Sequence, residues 1–246
     1  MELIVLGSSS KGNGYLLDPG TGEANSALVI EAGVKLIELK KAIDFDLNRI
    51  AGVLVSHRHS DHGGRAMEYA KAGLKIITAQ EDCSHHNMVP IMGTEDSKEV
   101  FKLGKWTIKP FKLVHDVPNY GFLIHHPETG AFPFVTDTHY VPFRFEGMYN
   151  IMIEANYSEE IIRSRVASGK VHQFLADRIV FSHTSLETCM DFLKKNDLSK
   201  VNNIVLLHLS DGNSSAEGFR DKVQKLTGKM VHIADAGFRV NFSKTF

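Results

Sequence analysis

Short apolar runs punctuated by glycine, proline and asparagine dominate the first half of the chain, and they read as strands. Leu3 to Leu6 is stopped by GSSSKGNG, and Tyr15 to Leu17 is separated from Ala27 to Glu31 by the turn residues Asp18, Pro19 and Gly20. The spacing of Val34, Ile37 and Ala42 predicts a helix over 34–42. GVLVS at 52–56 predicts a short buried strand, Arg65 to Ala72 a helix stopped by Gly73, and Lys75 to Ala79 a further strand. Trp106 to His115, Tyr120 to His126, Ala131 to Thr136 and Asn150 to Glu154 all have strand composition. Beyond them helices and strands alternate. Thr184-Ser-Leu-Glu187 and Ser214-Ser-Ala-Glu217 have the form of capping boxes and predict helix starts near 185 and 215. Asn203 to His208, Lys229 to Ile233 and Gly237 to Phe242 read as strands. Strands arriving in two batches, each followed by helices, predict an α/β (α+β) fold of two sheets packed face to face with helices outside. No linker, repeat or block of like charge divides the chain, so 1–246 reads as a single domain.

Composition excludes more than it assigns. With 43% hydrophobic and 23% charged residues the chain is neither disordered nor fibrous. A net charge of -1, from 28 basic and 29 acidic side chains, gives no global reason to expect a nucleic-acid binder. Cys83 and Cys189 are too few and too far apart for a disulfide framework or a zinc knuckle, which suits a reducing compartment. The opening MELIVLGSSS lacks a basic n-region, and no stretch approaches 18 apolar residues. Neither a signal peptide nor a membrane span is therefore expected, and the expected location is cytoplasmic. Histidine stands out, with 13 residues.

Three of those histidines lie in SHRHSDHGG at 56–64, directly after a buried strand. His57 and His59 are two apart, so a tight backbone can aim both at one ion, while Asp61 and His62 follow on a turn that can face a second. Imidazole and carboxylate together suit Zn²⁺, with Mn²⁺ or Fe as possibilities. A core has little use for such a sequence. Further candidate ligands stand at the ends of apolar runs: His115 after WTIKPFKLV, Asp137 in VTDT, and His208 after NIVLL. Residues at strand ends are where loops over a rigid sheet edge build sites. GSSSKGNG at 7–14 follows a strand but lacks the lysine and the helix of a P-loop, so it reads as a turn that brings backbone close to the site edge.

The HxHxDH cluster and the downstream order His115, Asp137, His208 resemble the motifs of the metallo-β-lactamase fold over nearly the whole chain. Within that superfamily the sequence is most similar to the WalJ/YycJ-type hydrolases. GSSSKGN, SHRHSDH, VTDTHY at 135–140, IEANY at 153–157, FSHTS at 181–185 and HLSDGN at 208–213 carry that likeness. The resemblance implies a four-layer αββα sandwich with two divalent metal ions at its edge. It places His57, His59 and His115 on one ion, Asp61, His62 and His208 on the other, and Asp137 between them. An aspartate in the bridging place, where β-lactamases of this fold commonly have cysteine, moves the expectation toward phosphodiesters held between two close ions.

The implied activity is that of a nuclease, exonuclease-like, cleaving DNA or RNA by attack of a metal-held hydroxide on phosphorus, with Asp61 orienting the nucleophile. His183, expected just outside a helix N-terminus where anions are favoured, is the expected helper of the leaving group, with Glu154 orienting it by hydrogen bonding. Ser210 is expected to meet substrate phosphate, and Asn213 either to meet it or to brace the His208 loop. His139 departs from the family pattern, which has a small residue after TDT. Lys102, Lys105, Lys109 and Lys112 are candidates for a basic stripe beside the groove, and the 71 positions from Asp137 to His208 leave no room for a large inserted domain. The competing readings are a hydrolase of small esters, thioesters, lactones or cyclic nucleotides with the same fold, and a metal-binding regulator without turnover.

Overall fold

The parallel and antiparallel strands of the chain sort into two seven-stranded sheets in the computed structural model, which describes residues 1–92 and 99–245. The first contains β1 (Glu2–Gly7), β2 (Gly14–Asp18), β3 (Ala27–Ile30), β4 (Ile50–Leu54), β5 (Ile76–Ala79), β6 (Met88–Ile91) and β14 (Arg239–Asn241), in the order β14-β1-β2-β3-β4-β5-β6. The second contains β7 (Phe101–Leu103), β8 (Trp106–Leu113), β9 (Asn119–His126), β10 (Gly130–Val135), β11 (Asn150–Glu154), β12 (Asn203–Leu207) and β13 (Met230–Ile233), in the order β13-β12-β11-β10-β9-β8-β7. Each sheet is antiparallel at one side and parallel at the other: β3 to β6 run parallel, as do β10 to β13. The parallel strands β3, β4, β11 and β12 are buried at every position, as strands covered on both faces must be, and this is why they read as unbroken apolar runs.

Between the sheets Leu3, Val5, Tyr15, Trp106, Ile108, Phe122, Phe134 and Leu207 form one continuous core. Burying each large side chain there is worth about 2–3 kcal/mol. The indole N–H of Trp106 donates to the Ser26 carbonyl at 2.8 Å, so even the largest buried group keeps its polar end satisfied. Helices α1 (Leu36–Ala42) and α2 (Ala66–Lys71) cover the outer face of the first sheet through Leu36, Leu39 and Tyr69. Helices α5 (Leu186–Lys195) and α6 (Ala216–Thr227) cover the second through Leu186, Cys189, Phe192, Leu193, Phe219 and Val223. The layers are therefore αββα. No helix among the described residues is long and apolar enough to cross a membrane.

Two helices escape the pattern reading, α3 (Glu159–Ala167) and α4 (Gln173–Ser182). Only Ile162 is buried on the first, and only Ala176 and Ser182 on the second; their short apolar faces, Ile162 with Val166 and Ala176 with Ile179 and Val180, pack on each other in a small cluster apart from the two main cores. Both helix starts near 185 and 215 lie one residue later than the capping boxes place them. Ser185 caps α5, accepting from the Thr188 N–H at 3.0 Å, and Ser215 caps α6, accepting from the Gly218 N–H at 3.3 Å. Thr184 is committed elsewhere: its N–H donates to Glu154 Oε2 at 2.9 Å and its hydroxyl to the Thr138 carbonyl at 2.6 Å. Glu187 in turn accepts from the Glu159 N–H at 3.2 Å, at the start of α3.

The segment after β3 is the floor on which the histidine-rich loop rests. Ala32 N–H donates to the His62 carbonyl, Gly33 N–H to the Asn13 carbonyl, and Asn13 N–H to the Asp61 carbonyl, at 2.8, 2.9 and 2.7 Å. A Cβ on Gly33 would lie 1.8 Å from the Asp61 carbonyl oxygen and 2.7 Å from the Asn13 nitrogen, both backbone atoms that cannot yield alone. Gly20 has a φ of +72° but open space around it. Gly33→Ala is therefore expected to lower the thermal midpoint by at least about 6 °C, and Gly20→Ala by only about 2–4 °C, the cost of left-handed backbone alone. Calorimetry of the two variants checks this; equal midpoints would show that the floor contact carries no strain.

Candidate metal centre

Six chain segments bring polar side chains to one edge of the sandwich, and each does so where a strand ends. β3 is followed by Glu31, β4 by the loop with His57, His59, Asp61 and His62, β8 by His115, β10 by Asp137, β11 ends on Glu154, and β12 is followed by His208. Glu31, Asp137 and His208 have φ of +67°, +49° and +53°, three of six non-glycine residues with positive φ among those described. Left-handed backbone costs such residues on the order of 1 kcal/mol or more and persists where the surroundings over-determine it. Here it bends the chain off the strand axis, so that the side chain stays over the sheet edge.

The side chains converge closely. His59 Nδ1 and His115 Nε2 are 3.2 Å apart, and Asp137 Oδ2 lies 3.7 Å from His57 Nε2 and 3.9 Å from His115 Nε2. The other carboxylate oxygen of Asp137 is 2.9 Å from His208 Nδ1 and 3.4 Å from His62 Nε2. Asp61 Oδ2 meets His208 Nε2 at 3.2 Å and His62 Nε2 at 3.4 Å. One ligand atom from each of His57, His59, His115 and Asp137 falls within 4.8 Å of the others, and the same holds for Asp61, His62 and His208. A further group, Asp137, Glu154, His183 and His208, meets the same distance, but there Glu154 and His183 are already closed on each other by a 2.8 Å hydrogen bond.

The donor set suits a metal. Four imidazole nitrogens of the cluster, His57 Nε2, His62 Nδ1, His115 Nδ1 and His208 Nε2, are buried with no hydrogen-bond partner, an arrangement a folded protein avoids unless something else meets them. The His57 ring is fixed by a 2.9 Å contact between its Nδ1 and the Ser56 hydroxyl, the kind of outer contact that sets a ligating imidazole's tautomer. Beneath the imidazoles lie three buried carboxylates, Glu31, Asp137 and Glu154. Glu31 Oε1 is 3.3 Å from His62 Nδ1, on the ring edge opposite Asp61. Burial lowers the proton affinity of His62, but Asp137 and Glu31 outweigh it and push its pKa up to about 10. His208 is raised in the same way, burial being overcome first by Asp137. Burial raises the Asp137 carboxyl, yet the charges of His62, His208 and His183 hold it well below the usual carboxylate range. Burial, then the charge of His62, keeps His57 neutral, as a ligand must be. A site that draws protons onto its imidazoles so strongly draws a metal cation by the same field.

The cluster opens into a cleft of about 520 Å³ whose walls include His59, Asp61, His115, Asp137, His183 and His208, together with Ser10, Arg178 and Ser210. Residues 3–141 match the model of the metallo-beta-lactamase superfamily, more than half of the chain. The chain belongs to the metallo-beta-lactamase superfamily. It is a hydrolase of that superfamily, and its His/Asp cluster occupies the sheet edge as a group able to hold metal ions. It is 26% identical over 229 residues to the exodeoxyribonuclease WalJ of Streptococcus pneumoniae, covering 87% of this chain and 83% of that one. To the exodeoxyribonuclease YycJ of Bacillus anthracis it is 27% identical over 243 residues, with 92% and 89% covered. The WalJ/YycJ likeness and the αββα fold expected from the sequence are both borne out. Among solved structures, YhfI of Bacillus subtilis superposes with a TM-score of 0.66 at 17% identity, covering 98% of this chain and 99% of that one. The short form of human tRNase Z superposes with a TM-score of 0.59 at 14% identity, covering 98% and 99%. At these identities the two structures speak for the fold alone.

Several expectations about this metallo-beta-lactamase superfamily site are met by geometry and several are corrected. His57, His59, Asp61, His62, His115, Asp137 and His208 are all brought together, and Ser210 lines the cleft. His183 also lines it, but at the C-terminal end of α4, and not beside a helix N-terminus. α5 begins only at Leu186, and the N–H of Thr184 is taken by Glu154, so that amide is not offered to an anion. Asn213 is buried, donating to the Ser210 hydroxyl at 3.3 Å and accepting from Arg165 at 3.2 Å, contacts that fit the bracing one of its two expected roles. His139 turns outward, its Nδ1 donating to the Val180 carbonyl at 2.8 Å near the end of α4, and so it neither narrows the cleft nor joins the cluster. The lysine stripe does not form, because Lys109 and Lys112, three apart on β8, point to opposite faces. Glu31 went unread because its only sequence signal is a polar residue closing an apolar run.

Glu31→Gln is expected to leave the fold intact and to weaken divalent-metal binding about 10- to 100-fold, the usual cost of removing the carboxylate behind a ligating imidazole. Competition against a metal-sensitive dye reads it directly. Wild-type affinity in the variant would mean that the Glu31 charge contributes nothing to metal binding.

Proposed function

We propose that the chain is a metal-dependent phosphodiesterase with a pair of divalent ions, a nuclease that shortens nucleic acid from an end, DNA being the favoured substrate. The observation that carries this reading is Asp137, whose two carboxylate oxygens face two different ligand groups. A shared oxygen bridge keeps two ions close enough to act on one phosphodiester. On this reading His57, His59 and His115 hold one ion, Asp61, His62 and His208 the other, and Asp137 both. The nitrogen and oxygen donors suit zinc, with manganese or iron able to replace it. Two such ions, when bound, supply polarisation of the phosphoryl oxygens and activation of water. The names of the two bacterial relatives, both exodeoxyribonucleases, favour nucleic acid over lactams and DNA over RNA. We further read 1–246 as one domain acting in the cytoplasm, where Cys83 and Cys189 stay reduced.

The chain's own residues divide the remaining work. Asp61 lines the cleft beside His62 and His208, where its carboxylate can orient the attacking water. Glu154 fixes His183 through Nδ1, leaving Nε2 to give a proton to the departing oxygen. Burial opposes protonation of His183, but Glu154 and Asp137 raise its pKa, so the proton is held ready. Ser210 offers a hydroxyl to a phosphate oxygen. Small esters, thioesters and lactones remain the competing substrates, since relatives of the fold share the aspartate.

The test combines metal analysis with a substrate panel: single- and double-stranded DNA, RNA, aryl phosphodiesters, a thioester and a lactone. Metal-dependent release of mononucleotides from DNA is expected. Turnover of the thioester or lactone with no phosphodiester cleaved would overturn the reading. His183→Ala should keep its metal and lose about 10²- to 10⁴-fold in kcat on DNA, but far less on a p-nitrophenyl diester, whose leaving group needs no proton. An equal loss on both would remove His183 from that role.

A further inference from the structure

A hollow of about 690 Å³ opens beside the metal cleft and shares His115 and Asp116 with it. One wall comes from the connection between β8 and β9, which contributes Pro118, and the other from the connection after Asp137, which contributes Tyr140 and Phe143. Tyr140 is 48% exposed and Phe143 is 37% exposed, so two aromatic rings stand partly open next to the centre. Phe143 is fixed from behind. Its ring meets Phe111 at 5.1 Å and Phe145 at 6.4 Å, and Phe145 packs on Phe192 of α5 at 6.1 Å.

Both walls hang on Thr138, the buried neighbour of Asp137. Val114 N–H donates to the Thr138 hydroxyl at 3.2 Å, and that hydroxyl donates to the Tyr140 carbonyl at 2.8 Å. The Thr184 hydroxyl holds the Thr138 carbonyl from the other side. The hollow is thereby held in fixed relation to the bridging carboxylate, with no loop rearrangement needed to bring one to the other.

Resting on the phosphodiesterase reading, we propose that this hollow is a nucleobase subsite, which takes the base of a nucleotide flanking the phosphate to be cut. Its volume lies within the range of small-ligand pockets, and the chemistry of its walls selects the occupant. Fixed aromatic faces stack on any base and so bind single strands without regard to sequence. Lys112 is in the same wall and can meet the next phosphate along the strand. Asp116, 42% exposed at the boundary with the cleft, repels a phosphate there and leaves a neutral base as the favoured group. A duplex holds its bases stacked on one another, so a base reaches this hollow only from an unpaired end.

The experiment compares thymidine 5′-(p-nitrophenyl phosphate) with methyl p-nitrophenyl phosphate, which has the same leaving group and no base, on the metal-loaded protein. Tyr140→Ala and Phe143→Ala should each lower the ratio of kcat/KM values, nucleoside over methyl, by about 10- to 100-fold, carried mainly by KM. Phe143→Leu, which keeps the packing on Phe111 and Phe145, should lower the ratio as well, and Tyr140→Phe should restore it. An unchanged ratio overturns the subsite while leaving the phosphodiesterase reading standing. Failure of the wild type on both diesters, with turnover of a thioester, overturns that reading instead. If the alanine variants lower hydrolysis of a hexanoyl thioester and not of the nucleoside diester, the hollow holds an acyl chain and the proposal is wrong.

Discussion

Burying a carboxylate away from water is tolerable only when a positive charge or several donors lie against it, and this molecule buries three at one sheet edge. Glu31 and Glu154 have no exposed surface and Asp137 has 2%. Their neighbours are imidazoles, which answer that demand in one of two ways: by taking protons, or by sharing a metal cation. Much of the surrounding architecture follows from this need. Asp137 accepts from the Thr136 hydroxyl at 2.9 Å, and Glu154 accepts two backbone N–H groups, those of Asp137 and Thr184, at 3.0 and 2.9 Å. Those last two bonds join the ends of β10 and β11 to the segment between α4 and α5, so the carboxylate that steadies His183 also closes the sandwich over its site.

The same demand explains why the strained residues are found where they are. Continuing straight, the residues after β3, β10 and β12 would carry Glu31, Asp137 and His208 off the sheet. A left-handed turn keeps them over it, and the cost is recovered only because each side chain then meets an opposite charge at 2.9 to 3.3 Å. The glycines around the histidine loop serve the same closeness by another route. Gly12 and Gly33 let two backbones approach until a Cβ on either would strike a carbonyl oxygen, at 2.8 and 1.8 Å.

Much of this was legible in the sequence, and what was not has physical causes. Most of the parallel strands announced themselves because burial on both faces leaves only apolar residues, though the half-buried β6 did not. His57, His59, Asp61 and His62 did so because three histidines and an aspartate within six positions serve no core, while His115, Asp137 and His208 stood out only through the family resemblance. The helices α3 and α4 went unread because their apolar faces are short, Ile162 with Val166 and Ala176 with Ile179 and Val180, and polar or exposed residues surround them. The off-by-one caps have a sharper reason. A capping box assumes that the threonine or serine is free to cap, and Thr184 is engaged by Glu154 and Thr138 from strands far away in sequence. The same engagement leaves His183 one residue further from the start of α5 than the capping box implies, at the end of α4. Glu31 was silent for a related reason: its partner His62 is 31 positions away, and only the parallel pairing of β3 with β4 brings them together.

Charge also bears on how many ions the site is built for. Glu31, Asp61, Asp137 and Glu154 bring four negative charges to one small volume, in which only Asp61 has appreciable contact with solvent, and Asp116, 42% exposed, adds a fifth at the rim 3.0 Å from His115. Neutral imidazoles do nothing to offset them. With a single divalent cation, two charges would remain, and protonating two histidines to balance them would remove two ligands from the set. With two divalent cations the four charges balance while all five imidazoles stay neutral and free to ligate. On the two-ion reading the inner charge and the ligand count are satisfied together. The overall charge of -1 is then no guide to the substrate: on the proposed reading, cations in the cleft would offset its fixed anions and attract a phosphate locally.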